Sequence, residues 1–168
     1  MTTLYAQPYD LAATGFYFSA ADEFAARATL LRNAYGQPVE EFEIQFIDGE
    51  RIDAELFEAL SVSQTDIGAY LEVVAEWDDR QKIIVIIATG ELGYRFRLGQ
   101  DDPEQFDIDL YQIDSMRELA MQFVDDGLFG DIPKAIENYL DYDAIARDLG
   151  MDYAEVRVAG HRYIYRSG

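Results

Sequence analysis

The stretch QDDPEQFDIDLYQID, residues 100–114, carries six carboxylates (Asp101, Asp102, Glu104, Asp107, Asp109, Asp114) and neither Lys nor Arg. Such a segment could be a solvated face, a metal site, or negative charge offered to a partner that expects a polyanion. A calcium loop of the EF-hand kind needs acids at positions 1, 3 and 5, glycine at 6 and glutamate at 12. Asp107 and Asp109 supply the first two, but Tyr111 and Gln112 stand in the places of the third acid and the glycine. Strand residues two apart share a face about 7 Å apart, wide for one ion. The spacing suits adventitious divalent binding better than a dedicated site, and no metal is expected.

Other chemistry is thinly represented. His161 is the only histidine, and no GxSxG elbow accompanies it. Neither Lys82 nor Lys134 follows a glycine-rich phosphate loop, and no GxGxxG occurs. The absence of Cys excludes disulfides, thiolate zinc sites and thiol catalysis. Pairs of acids spaced for glycoside hydrolysis can be picked at will from 33 Asp and Glu, so they carry no information. No catalytic residue and no cofactor is expected. A carboxylate-rich metal-dependent hydrolase and an acidic adaptor for another basic protein stay open as alternatives.

The distribution of charge is more informative than any pair. The chain sets 33 acids against 13 bases, a net charge of -20, yet is 49% hydrophobic and 14% aromatic. It is therefore built to fold, against its own repulsion. Residues 40–50, with Glu40, Glu41 and Glu43, and residues 100–114 contain no base, and Asp125, Asp126 and Asp131 extend the second acidic stretch. Ordinary surfaces intersperse both signs. Direct binding to nucleic acid or anionic lipid needs a basic footprint, which is missing. Duplex DNA carries one charge per ~1.7 Å of axis, so -20 matches roughly 34 Å, or about ten base pairs. No basic n-region precedes an apolar run at the N-terminus, and the longest apolar run, Ile83–Ala88, is too short to span a bilayer. A soluble, cytoplasmic protein is expected, with no membrane association.

The elements that must hold these acids are readable in outline. TLYAQPY (3–9) and GFYFS (15–19) predict two strands, and Ala21–Tyr35 a helix stopped by Gly36 and Pro38. In EEFEIQFIDGE, Phe42, Ile44 and Phe46 alternate with Glu41, Glu43 and Gln45, a strand with one wet face. Ile52–Trp77 reads as two helices interrupted near 61–65, with Thr65 able to cap the second. In QKIIVIIATG the β-branched run favours a buried strand, but periodicity leaves a buried helix open. YRFRL (94–98) alternates like a strand. In QFDIDLYQI, Phe106, Ile108 and Leu110 are expected inward, opposite Asp107, Asp109 and Tyr111. Ser115 with Glu118 has capping-box spacing. A helix is expected from Asp131 and Pro133, with Ala135, Ile136 and Leu140 inward. Another is capped by Asp141 and closed by Gly150, and a hairpin turns at Ala159–Gly160.

The segment GDIPKAIENYLDYDAIARDLG (130–150) resembles the signature of ArdA-type antirestriction proteins, G-x-[VI]-P, Y-[IL]-D-Y and A-x-x-[RD]-L in fixed spacing. Gly130, Ile132, Pro133, Tyr139, Leu140, Asp141, Tyr142, Ala144, Arg147, Asp148 and Leu149 match. YAQPYDLAATGFYF, EEFEIQFIDGE and DIDLYQIDSMRELAMQFVDDG are similar to further family segments, in the right order. The resemblance implies an elongated α+β chain of three small modules: 1–60 (N-terminal sheet plus helix), 61–102 (mainly helical) and 103–168 (sheet plus helices). It implies a homodimer that mimics DNA and occupies the DNA-binding site of type I restriction-modification enzymes, mainly their methyltransferase core, protecting incoming mobile DNA. The expected phosphate mimics are Glu40, Glu41, Glu43, Asp101, Asp102, Glu104, Asp107, Asp109, Asp114, Asp125, Asp126 and Asp131. The motif residues of 130–150 are expected to serve as core or dimer contacts. Where the family often has histidine and aspartate after the Glu-Glu segment, this chain has Gln45 and Phe46.

Overall fold

The computed structural model describes residues 1–168 and has an α+β architecture with two three-stranded antiparallel sheets. Two compact units divide at Gln105 and Phe106.

The first unit opens with β1 (Thr3–Pro8), β2 (Phe16–Phe18) and, after helix α1 (Ala21–Leu30), β3 (Phe42–Asp48), in the order β2-β1-β3. Alternation sends Leu4, Ala6, Phe16, Phe18, Phe42 and Ile44 into the core, and Glu43 to the opposite face. The strand registers Leu4↔Phe18 and Ala6↔Phe16 place these apolar residues side by side. Phe24 of α1 closes over them, with ring centroids 5.1 Å from Phe18 and 5.7 Å from Phe42. Gly15 is required by a close approach: a Cβ there would overlap the Ala6 carbonyl oxygen and the Tyr5 hydroxyl.

Helix α1 ends five residues before the expected Tyr35. Asn33 is the reason, since its Oδ1 accepts the N–H groups of Tyr35 and Gln37, both at 2.9 Å, while its Nδ2 donates to Asp10. A side chain that takes up backbone donors in this way competes with helix continuation. Gly36, at φ +76°, completes the turn.

Helices α2 (Arg51–Leu60) and α3 (Ile67–Glu76) match the expected pair. Thr65 does not cap α3. Asp66 is its N-cap residue, and the Asp66 carboxylate instead accepts from the Ser63 N–H and hydroxyl, closing the preceding turn. QKIIVIIATG is helical: α4 runs Asp79–Ile86 and continues as a π-turn over Ile87–Glu91. Asp78 and Gln81 form a reciprocal capping box, at 2.8 and 3.1 Å, that commits the chain to a helix. Its apolar residues are buried on every side, which removes the amphipathic period. YRFRL forms no strand, because the Arg97 N–H turns to the Asp101 carboxylate (2.7 Å) rather than to a neighbouring strand. A 3-10 turn, Pro103–Gln105, closes the unit.

An ion pair lies inside this unit. Lys82 Nζ donates to Asp53 Oδ1 at 2.7 Å and to the Val74 carbonyl at 3.0 Å, with Asp53 3% and Lys82 5% exposed. The Tyr70 hydroxyl donates to the Asp53 backbone carbonyl, and burial pushes its phenol pKa upward.

The second unit contains β4 (Ile108–Tyr111), α5 (Met116–Asp125), α6 (Lys134–Glu137), α7 (Tyr142–Leu149), β5 (Ala154–Val158) and β6 (His161–Ser167), with sheet order β4-β6-β5. Ala159 and Gly160 both take positive φ, +51° and +82°, the two-residue turn that matches strand twist. Leu119 and Phe123 of α5 pack on Ile164 of the sheet, with Tyr111, Ile113, Met116, Leu149 and Tyr153 around them. The other sheet face, with Ile108, Val156, Val158, Tyr163 and Tyr165, is buried too. The expected wet face of β4 is therefore half wrong. Ile108 is inward as read, but Tyr111 also enters a core and takes Asp109 to the same side of the sheet.

Candidate functional site: the acidic surface

Each carboxylate is placed by the core residues beside it. Phe42 and Ile44 are buried, so Glu41 and Glu43 are turned outward with Glu40. Gln64 fixes this segment by accepting the Phe42 N–H (2.6 Å) and donating to the Glu40 carbonyl (3.0 Å). The backbone is satisfied internally while Glu40, Glu41 and Glu43 form no ion pair. Glu43 meets only the Gln45 amide, at 3.3 Å.

The second group divides. Arg97 grips Asp101 through Nε at 3.2 Å and Nη2 at 2.8 Å. The Arg97 hydrogen bonds hold the Asp101 carboxyl below the usual carboxylate range, and the reciprocal effect raises the guanidinium. Asp102 accepts the Glu104 N–H at 2.9 Å, which starts the 3-10 turn and leaves the Glu104 carboxylate exposed. Asp107 is exposed, but Asp109 is bound by Arg166 at 2.9 Å, whose guanidinium also lies over the Tyr153 ring. The regular outward row expected of Asp107 and Asp109 is thus broken by a cross-strand arginine.

Helix α5 is charged at both ends. Ser115 accepts the Glu118 N–H at 3.1 Å, and Glu118 reaches back to the Asp114 N–H at 3.4 Å. At its other end stand Asp125 and Asp126, with no base in the last turn. Carboxylates at a helix C-terminus oppose the macrodipole, so they are not there for helix stability. Asp131 follows, also exposed. Asp114 differs from the others because Arg162 donates to its carbonyl at 2.6 Å.

The motif segment is more exposed than its apolar content suggests. Gly130 has φ +88°, and Pro133 precedes the single turn α6. Ala135 and Ile136, expected inward, are exposed, Ile136 at 48%, since four helical residues cannot bury a face. Tyr139 is 85% exposed, with Leu128 and Phe129 nearby in sequence also exposed. Asp141 caps α7 through the Ala144 N–H at 3.0 Å. Tyr142 lies under Arg117, Leu149 joins the core, and Leu140 and Ala144 are half-buried. Arg147 and Asp148 face solvent.

No three Asp, Glu or His side chains converge in a way that could hold a metal ion. No helix is long and apolar enough to cross a membrane. Sequence reasoning missed Asp53 and Lys82 as a pair, because 29 residues separate them and nothing local marks either. It also missed the arginines that neutralise Asp101 and Asp109. For Asp101 a signal was present, since Arg97 precedes it by four residues.

Fold and surface together define an acidic α+β protein whose exposed carboxylates greatly outnumber its ion pairs. The family model described as Antirestriction protein (ArdA) matches residues 19–164, and the chain belongs to that family of antirestriction proteins. A search of curated proteins gave no match. The family acts on restriction-modification enzymes, so the partner class follows from membership.

Proposed function

We propose that the protein inhibits by DNA mimicry, without catalysis, occupying the DNA site of a type I restriction-modification enzyme, mainly its methyltransferase core. The observation that carries this is the set of outward, unpaired carboxylates held on satisfied backbone: Glu40, Glu41 and Glu43 on one unit, Asp125, Asp126 and Asp131 on the other. These replace phosphates opposite the Lys and Arg that position DNA. Asp102, Glu104 and Asp107 join them, whereas Asp101, Asp109 and Asp114 sit beside arginines and contribute less. Modules 1–60, 61–102 and 103–168 are our division of labour, supported by the two sheets falling in the first and third, and α3 and α4 in the second.

A second copy is the proposed cover for the exposed apolar side chains around Ile136 and Tyr139. Their exposure, within the matching motif, supports a homodimer, which we place in the cytoplasm. The test is a DNA-cleavage assay with purified type I enzyme and increasing amounts of the protein. Dose-dependent protection that weakens steeply with salt is expected. No protection across several enzyme families would overturn the reading.

A further inference from the structure

The second unit contains a cleft of ≈ 630 Å³ lined by Gln112, Asp114, Glu118, Arg157, His161 and Arg162, among others. Arg157 and Arg162 are direct cross-strand partners at the end of the β5–β6 hairpin. Like charges in that relation are destabilising. Of the chain's eleven arginines, Arg27, Arg51, Arg97, Arg117 and Arg166 have a carboxylate within ion-pair distance. Arg157 has none. Arg162 donates to the Asp114 backbone carbonyl rather than to a carboxylate, which anchors its guanidinium at the cleft wall. The turn Ala159–Gly160 closes the hairpin at the rim of the cleft, which Gly160 and His161 also line.

We infer that this cleft binds a small phosphate-type oxyanion through Arg157 and Arg162. Two guanidinium groups on neighbouring strands suit bidentate recognition of such an anion. The first-turn N–H of Glu118 is already taken by Ser115, so recognition rests on the side chains. Glu118 and Asp114 also line the cleft and limit affinity. The net charge of -20 excludes a long polyanion, because every phosphate beyond the cleft would meet the chain's own acids. Of the carboxylates proposed to replace DNA phosphates, Asp114 alone lines this cleft.

The full-length protein is titrated with sodium phosphate by calorimetry, with amide shifts followed by NMR. Saturable binding at one site per chain is expected near or below ~1 mM, with shifts confined to residues 112–118 and 157–162. Arg157→Gln lowers affinity about tenfold. Arg157 is exposed and unpaired, so its removal leaves the fold intact. Arg162→Gln does the same, with a melting curve to separate lost binding from lost packing. Arg80→Gln, on the exposed side of α4, leaves affinity unchanged, and Glu118→Gln raises it. No saturable binding, or equal binding by Arg157→Gln, overturns the assignment; so does binding of a short DNA duplex as tight as that of phosphate.

Discussion

Replacing Lys82 by Met removes the cation from a pair that is almost wholly buried, at the wall of a small surface cavity. At 2.7 Å and an effective dielectric near 20, the attraction between Lys82 and Asp53 is ~6 kcal/mol. Desolvation of both ions offsets much of this, so the intact pair adds little net stability. The single substitution is different, because it leaves the Asp53 carboxylate buried without its counter-ion and the Val74 carbonyl without its lysine donor. The expected loss is about 3–5 kcal/mol. The double variant Asp53→Leu, Lys82→Met keeps the Tyr70 hydrogen bond, which uses the Asp53 backbone carbonyl, and should regain most of that loss. Trp77, the only tryptophan, lies between α3 and α4 and reports on this unit during urea unfolding. With a slope of about 2 kcal/mol/M, the midpoint should fall by ~1.5–2.5 M for Lys82→Met. The reasoning fails if Lys82→Met stays within ~1 kcal/mol of the parent, or if the double variant is as unstable as the single one.

Acidic-surface variants separate distributed recognition from a single hot spot. Any one of Glu40→Gln, Glu41→Gln or Glu43→Gln should weaken inhibition of DNA cleavage by no more than about fivefold, and the triple variant by at least about tenfold; complete loss from one substitution would contradict mimicry. Added salt should raise the melting temperature, by screening self-repulsion, while weakening inhibition, so the two curves slope in opposite directions. Asp101, whose carboxyl Arg97 holds below its ordinary 3.8, stabilises the fold above that pH, and this contribution disappears as pH falls through the lowered value. Melting curves of Asp101→Asn and the parent should therefore differ at neutral pH and converge in strong acid. Gly15→Ala forces a methyl group into the Ala6 carbonyl and should cost ~1–3 kcal/mol, read from urea unfolding.

Alternation made β3 legible, because Phe42 on one face packs on Phe16 and Phe24 while Glu43 on the other meets water. The same rule misread β4, whose two faces are both partly buried: Ile108 is in the core, and Tyr111 packs half-buried against the opposite cluster. Polar punctuation identified the Asp141 cap and the Ala159–Gly160 turn. The Asp78–Gln81 box was equally visible, but β-branched residues after it pulled the reading toward a strand. Among the acids, local sequence located the clusters. Which carboxylates are neutralised depends on pairings such as Asp109–Arg166, 57 residues apart, which strand register alone determines.

The chain's two lysines have unequal fates: Lys82 is sealed in the ion pair and Lys134 stands exposed at the start of α6. Amine-reactive dyes applied to the folded protein therefore have two targets, the exposed N-terminus and Lys134. After selective blocking of the α-amine, one fluorophore can be installed at Lys134, two residues from Ile136 and five from Tyr139, without mutagenesis. Quenching or anisotropy from that position gives a direct optical readout of whatever covers this surface.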